Sequence, residues 1–367
     1  MRMTGKTTRS DTTDAMERSF SEDNGETWSE PEVIEFISRG PEGVHRSYVQ
    51  PGFVDPVRDR LLSMVLVGRL PTDDPLEGMK HWHLWYSVST DGGRTKAVEE
   101  QVIQRGEYDP GHPCKGVWTG RNNIMIGDMT CRPIRTRGGE ILVPVQVTPV
   151  GPDGEYQNPG GGYTYHDSAV LIGRWGNGNR ISWELSDYLS NDPSLSTRGA
   201  LEPTLAEMPD GRVLMVLRGS NDVRPDLPGF KWFSTSGDGG RTWSGIKPWT
   251  YDDGSRFFSP SSCSQLLEHS NGSFYWIGNL TQENPSGNRP RYPLVVGEVD
   301  PESCLLRRKS VEIIQSREPG EPEEMSLSNF MAHEGRVTGD IMLNMSPLFT
   351  RRYLDWTGDA YLYRIAP

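Results

Sequence analysis

Apolar residues in this chain occur in short runs that are separated by polar segments rich in glycine and proline. Clear examples are residues 61–67, 140–146, 212–218 and 273–278, each six or seven residues long. Runs of this length between turn-forming residues predict β-strands, since helices need longer periodic segments. With 41 glycines and 28 prolines, the chain has no long helical segment. The pattern predicts an all-β protein, and no run is long enough to span a membrane.

A repeated turn punctuates these strands. The form Ser-x-Asp-x-Gly-x-Thr occurs at residues 21–27, 89–95 and 236–242. Aspartate can accept hydrogen bonds from nearby backbone amides and glycine can adopt a positive φ, so each copy has the composition of a hairpin turn. A degenerate copy at 176–183 lies between the second and third copies, and a further turn lies at 299–303. Such a repeat predicts a β-propeller.

Strand-like segments between these turns divide the chain into six blades in one domain, residues 1–367. The predicted blades cover about residues 13–36, 48–103, 130–183, 202–249, 262–314 and 328–364. Too few residues precede the first repeated turn for two further strands and their loop, so the first blade is expected to be incomplete.

Charge and cysteine spacing exclude several kinds of function. The formal net charge is −12 with a pI near 5.2, which argues against nucleic acid as a partner because phosphate binding needs clustered Lys and Arg. The four cysteines are too widely spaced for a metal or redox motif and are expected to be buried free thiols, although one disulfide is compatible with the sequence. No spacing of residues predicts a metal or another cofactor. Nothing in the sequence indicates an oligomeric state.

The N-terminal residues 1–10 lack the apolar segment of a signal peptide. Two explanations follow. Either the protein is cytoplasmic, or the chain is an N-terminally truncated part of a longer secreted or periplasmic protein.

The repeated turns, on blades of roughly 65 residues, and the segment Leu-Glu-Pro-Thr-Leu-Ala-Glu-Met-Pro-Asp-Gly-Arg-Val-Leu-Met-Val-Leu-Arg at 201–218 together resemble the sialidase (neuraminidase) superfamily. In that family the turns are known as Asp boxes or BNR repeats. The resemblance covers nearly the whole chain. It implies a six-bladed β-propeller and a glycan as the bound partner.

The resemblance implies a site near the propeller axis. It places Glu202 at the start of an inner strand and Arg218 at the start of the following loop. Sialidases hold the substrate carboxylate with three arginines, because a planar guanidinium pairs bidentately with a planar anion. Arg218 resembles the second of these, and Arg291 resembles the third, with Arg289 as the alternative. The first arginine is expected in a strand that would precede this chain.

The family's acid/base aspartate lies ahead of the first Asp box. Asp11 and Asp14 are the candidates, and Asp11 fits a loop better. The family nucleophile is a tyrosine activated by a glutamate, an exception among glycosidases. Leu327 stands where this chain would be expected to carry that tyrosine.

Three interpretations remain open. The chain is a glycosidase that uses another nucleophile or sugar, a sialidase whose tyrosine comes from elsewhere, such as Tyr292, or a propeller that binds glycans without cleaving them. In the first case the Gly-rich loop with Tyr163 and His166 could supply a base. A lyase acting on uronate-containing polysaccharides belongs to the same alternative.

Two further residues, Asp128 and Arg132, lead into an inner strand and are predicted either to line the site or to pair structurally. The favoured prediction is a sialidase-like exo-glycosidase acting on a terminal anionic sugar, because buried guanidinium groups without a carboxylate partner are costly.

Overall fold

The computed structural model describes residues 1–367, which form six small antiparallel sheets arranged as a six-bladed β-propeller. Blade 1 consists of β1 (Arg2–Lys6), β2 (Ala15–Ser19) and β3 (Glu32–Ile34). Blade 2 consists of β4 (Ile37–Gly40), β5 (Gly43–Asp55), β6 (Arg60–Leu70), β7 (His83–Ser89) and β8 (Val98–Gln101). Blade 3 consists of β9 (Ile124–Met125), β10 (Ile134–Arg135), β11 (Ile141–Val147), β12 (Asp167–Trp175) and β13 (Ile181–Leu185).

The second half of the chain builds the other three blades. Blade 4 consists of β14 (Leu201–Glu207), β15 (Val213–Arg218), β16 (Lys231–Ser236) and β17 (Lys247–Pro248). Blade 5 consists of β18 (Gln265–Glu268), β19 (Phe274–Asn279), β20 (Leu294–Val299) and β21 (Glu312–Gln315). Blade 6 consists of β22 (Met331–Glu334), β23 (Ile341–Met345) and β24 (Tyr361–Ile365). The helices are α1 (Gly78–His81) and the 3₁₀ turns Pro75–Glu77, Asn177–Asn179 and Arg308–Ser310.

The hydrophobic core lies between successive blades. Four buried clusters join blade 2 to blade 3, blade 3 to blade 4, blade 4 to blade 5 and blade 5 to blade 6. In β15, Leu214 and Val216 face blade 5, whereas Val213, Met215 and Leu217 face blade 3. Side chains alternate between the two faces of a strand, and here both faces are buried. This is why the strands appear in the sequence as continuous apolar runs.

The repeated turns share one set of hydrogen bonds. In each of the three full copies, the serine hydroxyl donates to the aspartate, and the threonine N–H and hydroxyl donate to the two aspartate oxygens. They join the last two strands of blades 1, 2 and 4, and the degenerate turn and the turn at 299–303 occupy the same place in blades 3 and 5. Each repeated segment is therefore a turn between two adjacent strands of a blade, as the sequence predicted.

Several blade boundaries differ from the predicted ones. Blade 1 begins at Arg2, because residues 2–6 form β1, which pairs with β2. Blade 2 begins at Ile37, because β4 and the start of β5 form a hairpin in the segment assigned to a connection. Blade 3 begins at Ile124 with a strand of two residues that pairs with β11. In blade 6, the predicted strand at 328–331 starts instead at Met331, because Asn329 has a φ of 58°. As predicted, the first blade is short, with three strands.

Two other sequence expectations concern cysteines and membranes. All four cysteines are free and buried, so the prediction of buried thiols is confirmed. Neither α1 nor any 3₁₀ turn has the length and apolar character that a membrane-spanning helix requires.

We expect Asp238→Ala to lower the free energy of unfolding by about 1–2 kcal/mol, because the third repeated turn loses the acceptor of its internal hydrogen bonds. Asp238 accepts from Thr242 at 2.9 and 2.6 Å and from Arg241 N at 3.0 Å. Urea unfolding measures the change, with Asp187→Ala as the control, because no backbone amide donates to that exposed side chain. Equal midpoints for the two variants would contradict a stabilising role for the turn.

Candidate active site

The candidate site is centred on a buried ion pair between Glu202 and Arg218. Adjacent strands β14 and β15 are paired so that Leu201 lies opposite Arg218, which brings the two side chains together. Arg218 Nη1 donates to Glu202 Oε1, and the two residues are only 7% and 8% exposed. Arg218 Nε also donates to Ser261 Oγ at 2.8 Å, and Nη2 donates to Asn288 Oδ1 at 3.1 Å. The guanidinium is therefore held in one orientation from three sides.

Glu202 has one free carboxylate oxygen and a strained backbone. Its Oε2 is buried without a hydrogen-bond partner. Its φ is 46°, a conformation that costs free energy in residues other than glycine and that occurs often at functional sites. The strand pairing is irregular between Leu201 and Thr204, and Glu202 N donates to Gln146 Oε1 at 3.0 Å. The surrounding structure thus fixes both the backbone and the side chain.

Gly127 lets a neighbouring segment approach Glu202. A Cβ at this position would lie 2.3 Å from Gln146 Oε1 and 2.8 Å from Glu202 Cγ. Real Cβ atoms do not approach other atoms so closely, so this close packing requires glycine. Asp128, the next residue, is consequently held beside the ion pair.

Arg291 supplies a second guanidinium next to Arg218. Its Nη2 donates to the carbonyl of Ser261 at 3.2 Å, while Arg218 contacts the hydroxyl of the same serine. Its Nε is buried without a partner. Burial and the positive charge of Arg218 both lower the pKa of Arg291. Arg289 lies elsewhere, with its guanidinium 4.3 Å from the ring centre of Tyr353.

Asp11 and Asp14 lie in the loop between β1 and β2 but have different surroundings. Asp11 has a φ of 57° and accepts a hydrogen bond from the hydroxyl of Tyr163 at 3.3 Å. Burial and the charge of Asp11 raise the pKa of Tyr163 to about 12. Asp14 accepts from Thr8 N at 2.7 Å and from Thr8 Oγ1 at 2.9 Å, so it closes its own loop. Of the two, Asp11 reaches the site loops.

Asp128 lies in a break of the inner strand of blade 3, between β9 and β10. Its Oδ1 accepts from Thr130 N at 3.0 Å and its Oδ2 accepts from Asn329 Nδ2 at 2.9 Å. Burial, and secondly the charge of Glu202, raise the pKa of Asp128 to about 6. Arg132 follows in the same break and donates to the carbonyl of Ala332 at 2.9 Å. The structure thus brings Asp128 to Glu202, whereas Arg132 contacts the inner strand of blade 6.

The raised pKa of Asp128 predicts a pH-dependent stability. A free aspartate titrates near about 3.9, so the folded protein binds this proton more tightly than the unfolded chain. Raising the pH from about 4 to above about 6 removes the proton and lowers the free energy of unfolding by about 3 kcal/mol. Asp128→Asn lacks this proton-linked contribution. We therefore expect the free energy of unfolding of the variant, relative to that of the wild type, to increase as the pH is raised over that range.

Urea unfolding of both proteins at several pH values between 4 and 7 measures the difference. Groups that titrate identically in both proteins cancel. Asp187→Asn, at an exposed position, should show no such trend. A constant difference between wild type and Asp128→Asn would contradict the raised pKa.

His166 and Arg198 are neighbours whose side chains contain polar atoms without hydrogen-bond partners. Of the two, only His166 was predicted from the sequence as a site residue. His166 is 2% exposed, and both of its ring nitrogens lack hydrogen-bond partners. Burial and the charges of Arg198 and Arg218 lower the pKa of His166 to about 3, so the imidazole is neutral. Arg198 is 9% exposed, and its Nε has no partner. Arg198 lies in an irregular segment with no motif, four residues before Glu202.

Lys231 is a second residue that sequence reasoning missed. It lies opposite Arg218 in the pairing of β15 with β16, is fully buried, and donates from Nζ to the carbonyl of Ser262. Burial and the positive charge of Arg218 lower the pKa of Lys231 to about 7. In the sequence, Lys231 is a polar residue at the start of a predicted strand and lies in no motif, so the sequence did not indicate a site residue there.

The place where a nucleophilic tyrosine was considered holds no reactive group. Leu327 is fully buried in the core between blades 5 and 6. Its N–H donates to the carbonyl of Arg291 at 3.0 Å. Tyr292, the alternative, packs against the same core, with the guanidinium of Arg317 5.5 Å from its ring centre.

The arrangement can bind a planar anion and move a proton. Arg218 and Arg291 present guanidinium groups around one serine, and Glu202 offers a free oxygen beside them. Two fixed guanidinium groups suit a carboxylate, which they can bind bidentately. No group of three or more His, Cys, Asp or Glu side chains is placed to hold a metal ion.

Comparison with solved structures shows the same architecture in other proteins. The intramolecular trans-sialidase from Ruminococcus gnavus superposes with a TM-score of 0.61 at 12% identity, over 96% of this chain and 87% of that one. The chain has the sialidase fold. A protein of unknown function from Dyadobacter fermentans shares it, with a TM-score of 0.57 at 16% identity over 95% of this chain and 82% of that one.

A third structure with the sialidase fold belongs to a longer protein. Hadza microbial sialidase Hz136 superposes with a TM-score of 0.58 at 14% identity, over 90% of this chain and 56% of that one. This chain therefore spans little more than half of that protein. No family model and no curated protein sequence matches the chain.

Proposed function

We propose that this protein is a glycoside hydrolase that removes a terminal anionic sugar, a sialic acid or a related acid sugar, from glycans. The observation that carries the proposal is the buried Glu202–Arg218 pair, in which Glu202 has a free carboxylate oxygen and Arg218 shares Ser261 with the guanidinium of Arg291. The sialidase fold of the chain supports the same class of reaction.

In the proposed mechanism, Arg218 and Arg291 bind the carboxylate of the sugar and fix the ring. Asp11 donates a proton to the leaving oxygen, which glycoside hydrolysis requires of one carboxylic acid. Glu202 uses its unpartnered Oε2 as a general base that activates water, a role that its fixed orientation suits. This assignment needs no tyrosine at position 327.

A non-catalytic glycan-binding propeller is the second candidate. The observation that favours it is the fully buried Leu327, which leaves no nucleophile at the place where the family carries one. In that case Arg218 and Glu202 would hold the sugar without cleaving it.

A panel of fluorogenic glycosides tests the proposal. We expect hydrolysis of a sialoside or a uronoside, no hydrolysis of neutral glycosides, and loss of activity in Glu202→Gln. Hydrolysis of neutral glycosides alone would contradict an anionic substrate. Binding of an acid sugar without hydrolysis of any substrate would favour the second candidate.

A further inference from the structure

Arg46 and Asp73 form an ion pair beside the loop between β1 and β2, which comprises residues 7–14. Arg46 lies on β5 and is 2% exposed. Its Nε donates to Asp73 Oδ1 at 2.6 Å, and its Nη2 donates to Asp73 Oδ2 at 2.9 Å. These hydrogen bonds lower the pKa of Asp73 and raise the pKa of Arg46, so both residues stay charged. A bidentate pair of this kind fixes the orientation of both side chains.

The pair holds this loop at two points, one on each side of Asp11. Arg46 Nη1 donates to the carbonyl of Thr13, two residues after Asp11, at 3.0 Å. Arg9 lies two residues before Asp11. Its Nη2 donates to the carbonyl of Asp73 at 3.4 Å and lies 3.9 Å from the carboxylate of the same residue. The loop is therefore attached to the pair on both sides of the residue that is proposed as the acid.

The conformation of Asp11 depends on such support. Its φ is 57°, which costs free energy in a residue other than glycine and persists only where the surrounding structure enforces it. Across the site, the hydroxyl of Tyr163 donates to Asp11 Oδ2 at 3.3 Å, and Tyr163 N donates to Asp222 Oδ2 at 3.0 Å. Asp11 is thus held between the ion pair behind its own loop and the site loop that carries Tyr163.

We propose that Arg46 and Asp73 are positioning residues, which hold residues 7–14 so that Asp11 reaches the leaving oxygen of the glycosidic bond. The inference rests on the proposed function and adds two residues to it that act through Asp11. As the glycosidic bond breaks, Asp11 gives its proton to the leaving oxygen, and Glu202 takes a proton from the attacking water. Proton transfer requires hydrogen-bond reach, so a loosened loop impairs this step while the arginines still bind the sugar.

Hydrolysis of two glycosides that differ only in the leaving group tests the assignment. The pair is the 4-nitrophenyl and methyl glycosides of N-acetylneuraminic acid, or of glucuronic acid if the uronoside is the substrate hydrolysed. Nitrophenolate leaves with little protonation, whereas methanol needs the acid. In Arg46→Gln, kcat/KM should fall about 10²-fold for the methyl glycoside, as for a misplaced catalytic group, and about tenfold or less for the nitrophenyl glycoside. An equal fall for both glycosides would overturn the inference.

Hydrogen–deuterium exchange of the free protein measures the hold on the loop without a substrate. The amides of residues 7–14 should exchange at least about tenfold faster in Arg46→Gln, because hydrogen bonds to charged groups are lost. Asp73→Asn should act in the same direction, and asparagine tolerates the φ of 69° at this position. Unchanged exchange would overturn the inference. Arg9→Ala, at a side chain that is 55% exposed, removes the second attachment and replaces these variants if they do not fold.

Two further variants distinguish failure of this inference from failure of the proposed function. Arg241→Gln breaks an ion pair with Glu140 elsewhere in the molecule, and it should leave both the exchange of residues 7–14 and the ratio of the two rates as in the wild type. Asp11→Asn should impair the methyl glycoside selectively. If it does and Arg46→Gln does not, only the role of the ion pair is wrong. If the wild type hydrolyses neither glycoside, the proposed function fails, and exchange still decides whether the pair holds the loop.

Discussion

Replacing Arg218 with alanine should lower kcat/KM for an anionic substrate by about 10²–10³-fold or more, since removal of one oriented charged donor from a site has effects of this size. The same change should lower the free energy of unfolding by about 3–5 kcal/mol, because Glu202 stays buried without its partner. Kinetics on the active fluorogenic substrate and urea unfolding measure the two effects.

Two variants separate these effects of Arg218. Arg218→Lys keeps the positive charge and loses the planar geometry, so stability should recover more than substrate affinity does. Arg218→Ala combined with Glu202→Ala should be more stable than Arg218→Ala alone, because the unpaired charge is gone. A double variant that is no more stable than the single one would contradict the importance of the buried pair.

The second large effect is expected for Glu202→Gln, which should lower kcat by about 10²–10⁴-fold, the range of a lost general base. The amide oxygen of glutamine can still accept from Arg218, but the buried guanidinium loses its counter-charge, so the free energy of unfolding should also fall. KM should change little, because in the proposed site the arginines bind the sugar carboxylate. Initial rates over a range of substrate concentrations give kcat and KM separately.

The outcome for Glu202 also distinguishes the two candidate functions. A general base lost in Glu202→Gln leaves sugar binding intact and removes turnover. In a non-catalytic propeller there is no turnover in the wild type, and Glu202→Gln should weaken sugar binding, because Glu202 would then help to hold the sugar. Unchanged kcat in an active enzyme would show that Glu202 is not the base.

The architecture was predictable because its local signals repeat. Each Ser-x-Asp-x-Gly-x-Thr turn is stabilised by its own residues, so its structure depends little on the rest of the chain. Strands buried on both faces appear as apolar runs that need no periodicity to recognise. The errors lie at blade boundaries, at Asn329 with its positive φ and at the hairpin of β4 and β5, which has no Ser-x-Asp-x-Gly-x-Thr turn to mark it.

The spatial grouping of side chains at the candidate site was predictable only in part. Glu202 and Arg218 lie in one segment of contiguous sequence, and the pairing of β14 with β15 brings their ends together. Arg198 and Lys231 belong to the same charge cluster but lie in no motif. What distinguishes them from other basic residues is their burial close to Arg218. Burial and charge proximity are properties of the folded chain, and a single sequence does not display them.

The position of Asp128, in the break of the inner strand of blade 3, could likewise be predicted only in part. Asp128 was predicted either to line the site or to pair structurally. It contacts Asn329, which lies 201 positions later in the chain, and it is held near Glu202 by the close approach of Gly127. Contacts this distant in sequence leave no local pattern.

A crystal structure of the protein with a bound acid sugar, the one that the substrate panel identifies, tests the central claim most directly. We predict that the sugar carboxylate lies within hydrogen-bond distance, about 2.7–3.2 Å, of the guanidinium groups of Arg218 and Arg291. The glycosidic carbon should face Asp11 and the free oxygen of Glu202. A sugar bound at another surface, with the Glu202–Arg218 pair untouched, would contradict the account.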